Sequence, residues 1–118
     1  MDIQELKKRG FVVSLQRKDF ILYTGLIVLA HEKGLVSIET EPVMMDFEQC
    51  RFIFKATVIG LQGERFTGYG DVTQYNVSKM ILPHAIRMAE TRAKARALRD
   101  YTGLGLTAFE ELGGFEKG

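Results

Sequence analysis

The sequence has one cysteine, no tryptophan, two prolines and two histidines in 118 residues. A single thiol, Cys50, excludes an internal disulfide framework and suits a reducing compartment. It sits near a turn with no neighbouring His or Lys to make it a catalytic thiolate. His31 and His84 have no Cys or carboxylate partner at metal-ligand spacing, so neither a metal nor another cofactor is expected. The acids are scattered and form no pair of the kind a two-metal nuclease needs. Gly60, Gly63, Gly68 and Gly70 lack the strand-loop-helix context of a phosphate loop. The longest apolar run, Leu26–Ala30, is far too short to span a bilayer, and the first ten residues contain no leader-like apolar stretch. The expectation is a non-catalytic, cytoplasmic protein with no membrane segment.

What is present is ordinary in amount and uneven in place. Hydrophobic residues make up 46% and charged residues 26%, as in a soluble globular domain. The length suits one domain, residues 1–118, with one modest core. Net charge is +1. The segment from Lys79 to Arg99 alone carries +5, with Glu90 its single acid, so the rest of the chain carries −4. A basic stripe on an otherwise acidic chain is a localised electrostatic footprint.

Residues 2–9 predict a short helix stopped by Gly10. Phe11–Leu15 and Phe20–Tyr23 read as a hairpin around a polar turn at 16–19. Thr24 is a candidate N-cap for a helix ending at Gly34. Leu35–Met44, Arg51–Leu61 and Glu64–Tyr69 read as a three-stranded antiparallel meander, with Gly68-Tyr69-Gly70 as its end and Asp71–Asn76 as a polar link. Val77–Leu82 starts a helix that Pro83 breaks or restarts. Pro83 to Tyr101 is rich in helix formers and is stopped by Gly103. At 1.5 Å per residue that helix is roughly 28 Å long, enough to cross a small sheet. A short turn at Ala108–Leu112 and a fraying tail, 113–118, complete an α+β fold: a meander packed by a long C-terminal helix, preceded by a short helix and hairpin.

On a helical wheel, Ile86, Ala89, Ala93 and Ala97 form a narrow apolar face suited to close approach to a sheet. Arg92, Arg96 and Arg99 form a row beside it, and Arg87 and Lys94 lie on the other flank next to Glu90. An alanine seam buries little area, and three arginines in line repel one another unless something negative faces them. A phosphate backbone is one such partner. A solvated face is another reading, as is pairing with Asp100, Glu110, Glu111 or Glu116 in the same or a neighbouring chain.

The order of helix, meander and long basic helix resembles the ring-forming single-strand annealing proteins: the eukaryotic Rad-fifty-two family and phage relatives such as Sak, Erf and Red-beta. The segment from Gln62 to Gly70 is similar to that family's turn, strand and Gly-aromatic-Gly ending. Ala89 to Tyr101, followed by Gly103, is similar to its signature helix, and Tyr23-Thr24-Gly25 with Leu29 to Glu32 resembles its early helix. The resemblance spans about residues 20–105. It implies single-stranded DNA binding and annealing in recombination and repair, a homo-oligomeric ring, and replication or recombination proteins as partners. It places Arg96 and Arg99 on groove-lining positions. Ala95 stands where the family commonly has a further basic residue, and the stretch Thr24–Ala30 lacks the family's basic residue.

The expected nucleic-acid contacts are therefore Arg92, Lys94, Arg96 and Arg99, extended by Lys55, Arg51 and Tyr69. Arg51 and Lys55 share a sheet face with Thr57, and they either widen a basic groove or pair with Glu39 or Glu41 across the hairpin. Arg65 and Tyr69 share a face of the next strand, and Tyr69 either stacks on a base or packs beneath the long helix. Two rival readings remain: a double-stranded RNA-binding-like module, and a structural oligomeric assembly protein whose arginines meet acidic residues. A nuclease is the most distant reading.

Overall fold

The computed structural model describes residues 2–114. Asp2 caps the first helix, α1 (Ile3–Lys8), by accepting the Glu5 N–H at 3.0 Å, and Gly10 follows it with φ +77°. Strands β1 (Val12–Leu15) and β2 (Lys18–Ile21) form an antiparallel hairpin. Its two turn residues, Gln16 and Arg17, both take positive φ, as a type I′ hairpin turn demands. Helix α2 (Tyr23–Lys33) ends at Gly34, whose φ of 121° a side chain would resist. Thr24 is not its cap. The Tyr23 N–H is caught instead by the Glu110 carboxylate at 2.7 Å, an acceptor from the far end of the chain.

The meander is β3 (Leu35–Asp46), β4 (Arg51–Gly60) and β5 (Arg65–Val72), antiparallel with β4 central. Period-two burial is clearest in β4: Phe52, Phe54, Ala56, Val58 and Gly60 are buried, and the residues between them are not. The third strand is longer than its glycines suggest, running on through Val72 into the stretch expected to be a link. Gly68 and Gly70 do not end it. They thin it where a helix crosses: a Cβ on Gly70 would lie 2.2 Å from the Ala89 carbonyl, and one on Gly68 2.5 Å from the Ala97 nitrogen.

That helix is α3 (Ala85–Thr102), closed by Gly103 in the left-handed region. The expected helix over Val77–Leu82 is absent; the chain makes turns and a single 3-10 turn at Leu82–His84. Ala89, Ala93 and Ala97 form the buried seam, whereas Ile86 is 36% exposed and does not belong to it. A second buried side, Ala95 and Leu98, packs α3 against Leu26 and Ala30 of α2 in the same core. Two buried sides explain the alanine content of α3: the strand side admits only alanine at Ala89, Ala93 and Ala97, and on the other side Ala95 stands beside the larger Leu98. Past Gly103 the chain returns to the first hairpin, where the Ile21 N–H donates to Thr107 O at 3.0 Å, and a 3-10 turn follows at Phe109–Glu111. The expected fraying tail falls mostly on 115–118, outside the described residues. With extents of 42 × 37 × 16 Å the molecule is a slab, helices on one side of the meander. On the meander's other side Arg65, Thr67, Tyr69 and Asp71 stand exposed.

Candidate nucleic-acid interface

The arginine row of α3 turns toward the β5 edge and the C-terminal turn. Arg92 is buried. Its Nε donates to Glu111 O at 2.8 Å, Nη1 to Asp71 O at 2.9 Å and Asn76 Oδ1 at 3.1 Å, and Nη2 to Asn76 O at 3.0 Å. Burial first, then the adjacent Arg96, holds its pKa below the usual arginine value, with Asp71 and Glu111 acting the other way. This guanidinium cross-links three segments, and no phosphate can reach it. Its expected place in the interface is corrected on that ground.

Arg99 is engaged within the chain as well, though its side chain keeps 24% exposure. Its Nη2 lies 3.0 Å from Glu111 Oε1, and that carboxylate is itself only 4% exposed. Glu111 also meets Arg96 Nε at 3.4 Å and accepts the Ala108 N–H through Oε2 at 2.9 Å. Of the acids expected to offset the row, Glu111 does so within the chain, Asp71 joins it, and Glu116 lies outside the described residues.

Arg96 differs from its neighbours. Its side chain is 39% exposed, and its Nη1 donates to Tyr69 O at 2.8 Å and approaches Asp71 Oδ1 at 3.3 Å. Asp71 alternates with Tyr69 on the uncovered sheet face, so the Arg96 guanidinium wraps the free edge of β5 toward that face. Tyr69 does not pack beneath the helix. It is 53% exposed on the opposite side of the sheet and directly opposes Lys55. The row Lys55, Tyr69, Arg96 thus runs from β4 to the β5 edge as cation, aromatic ring, cation. Arg65 lies four residues along β5 on the same face, and Arg51 four residues along β4.

The hairpin pairing weighed from sequence is present in part. Lys55 Nζ is 3.9 Å from Glu41, and Arg51 is 3.6 Å from Asp46 rather than Glu39. Such solvent-facing pairs contribute roughly 0–1 kcal/mol and are screened by salt, so a phosphate can displace them. Lys94 is not part of this face. It lies on the other flank of α3, with Nζ 5.8 Å above the Tyr23 ring.

The structure therefore brings together Lys55, Arg51, Tyr69 and Arg96, adds Arg65, holds Arg99 beside Arg96 on the Glu111 carboxylate, buries Arg92 and puts Lys94 on the other flank of α3. Helical spacing alone could not make that division, because the acceptors that claim Arg92 and Arg99 come from the Asp71–Asn76 segment and from Glu111. Arg65 shares the two-residue alternation of Tyr69, which puts it on the same face from sequence alone, though it is not among the expected contacts. Among the described residues no three His, Cys, Asp or Glu side chains are grouped to hold a metal ion, and no helix is long and apolar enough to cross a membrane. No protein-family model and no curated protein matches the chain.

Proposed function

We propose that the protein is a non-catalytic, intracellular single-strand nucleic-acid-binding protein of the annealing and recombination type, and that the strand lies on the uncovered face of the meander. The observation that carries this reading is the half-exposed Tyr69 ring set between Lys55 and Arg96 on an open face. An aromatic ring stacks on any base, and cations beside it meet the phosphates on either side. A duplex has its bases already stacked on one another and cannot use the ring, so unpaired strands are preferred. DNA as the substrate follows from the sequence resemblance. So does a homo-oligomer, which the exposed Val43, Met44, Met45 and Phe47 at the β3–β4 tip also support. A lone protomer offers few phosphate contacts, and repetition around an assembly would multiply them.

The pairing of Arg96 and Arg99 with Glu111 favours one alternative, a structural assembly protein that binds no nucleic acid. The duplex RNA reading is weakened, because it needs the basic row of the last helix displayed. A polarisation titration with labelled oligo-dT and with a duplex of equal length separates these readings. Oligo-dT should bind more tightly, and Tyr69→Ala should weaken it about tenfold, the loss of one stacked base. Affinity unchanged in Tyr69→Ala would remove the platform, and absence of strand binding would leave the assembly reading.

A further inference from the structure

On the far side of α3 from the arginine row lies a cleft of about 450 Å³ that the proposed strand-binding face does not use. It is bounded by the outer flank of α3, the start of α2, the end of β1 and the C-terminal turn. Leu15, Ile81, Met88, Phe109 and Leu112 make it overwhelmingly apolar. Sites for small organic ligands are clefts of about this size with apolar floors and few polar groups.

The charged groups are two cations on one wall and a single carboxylate. Arg87, Thr91 and Lys94 line one wall at helical spacing, so both cations stand on the same flank of α3. Among the described residues, no ion pair joins either cation to a carboxylate. The one acid in the lining, Glu110, is committed to the Tyr23 N–H at 2.7 Å. Tyr23 itself is held neutral: burial raises its phenol pKa, and Glu90 and Glu110 raise it further. His84 stands at the same wall, at the N-terminal end of α3.

We infer that this cleft binds a single-tailed amphiphile with one anionic head, of the chemical class of a medium-chain carboxylate. The tail covers the apolar floor, removing that surface from water, and the head sits at the rim between Arg87 and Lys94. Charge complementarity selects an anion, and the lack of polar partners on the floor selects a hydrocarbon body over a nucleobase. The site is independent of the sheet face, so either can fail alone.

The test uses the full chain with 1-anilinonaphthalene-8-sulfonate as the reporter, displaced by dodecanoate below its micelle concentration. One saturable site is expected. Arg87→Ala combined with Lys94→Ala should leave the thermal melt in place and weaken dodecanoate by about tenfold or more, the usual loss for a charged hydrogen bond, while dodecanol changes little. Met88→Glu, which puts a carboxylate on the floor, should abolish dodecanoate binding, and Tyr69→Ala should leave it unchanged. The proposal is overturned by non-saturating binding, by equal loss of dodecanoate and dodecanol, or by displacement with thymidine monophosphate as effective as with dodecanoate. Dodecanoate binding that appears only after Phe115→Ser would assign the cleft to the chain's own last residues and overturn it too.

Discussion

Arg92 shows how a side chain type that suggests a ligand site can be spent on folding. Its four hydrogen bonds reach Asp71, Asn76 and Glu111, and three of the acceptors are backbone carbonyls. A buried carbonyl without a donor is costly, so the side chain stabilises the two segments that flank α3 as much as it satisfies itself. Replacing it with alanine strands those acceptors and opens a cavity. Arg92→Ala should therefore lower stability by about 2–4 kcal/mol, read as a fall in the denaturant midpoint with the slope unchanged. Arg92→Lys should recover little of the loss, because a point ammonium cannot reproduce a planar fork serving several acceptors. A midpoint within error of the parent protein for Arg92→Ala would show that the clamp contributes nothing. The same residue explains a limit of reading the sequence. Arg92, Arg96 and Arg99 have one helical spacing and one residue type, and only the distant Asn76 and the Glu111 carbonyl, both taken by Arg92, mark out the buried one.

At the level of elements, the contact between α3 and β5 governs the fold. It is made of backbone approaching backbone: Gly70 faces Ala89 and Ala93, and Gly68 faces Ala93 and Ala97. A methyl group on Gly70 would sit 2.3 Å from the Ala93 nitrogen, and neither strand nor helix can yield without losing its own hydrogen bonds. Gly70→Ala should cost about 1–3 kcal/mol or more, measured by thermal or denaturant melting, whereas Gly105→Ala, with open space around it, should stay within about 0.5 kcal/mol. Equal melting of the two variants would mean that the helix does not press on the strand. The meander, the long helix, its alanine seam and its glycine stop were legible in the sequence, because period-two and period-3.6 patterns are local. The end of β5 was misread, because a glycine that thins a strand beneath a helix looks the same in sequence as one that terminates it. The cap of α2 was misread for another reason: its acceptor, Glu110, is supplied by tertiary structure, and Thr24 only resembled a local one.

The slab shape gives the molecule one face with no helix layer, and its charges are not spread evenly. On β3 that face carries Glu39, Glu41 and Asp46, whereas Arg51, Lys55 and Arg65 stand on β4 and β5, with Arg96 at the far edge. A polyanion is thus repelled from the β3 side and drawn to the β4–β5 side, where Tyr69 is. Four cations on that side set an upper limit on counterion release from one protomer. At about −0.7 per phosphate neutralised, a short oligonucleotide should show a log–log salt slope of roughly −1.5 to −2.5, since Asp71, Glu41 and Asp46 already hold part of the charge. Lys55→Ala should make that slope shallower by about 0.7, and Arg87→Ala, on the other flank of α3, should leave it unchanged. Longer strands that engage several protomers should give a proportionally steeper slope with the same loss per site. A slope that answers to Arg87 and not to Lys55 would move the strand off the sheet and onto the helix flank, reversing the assignment of the two surfaces.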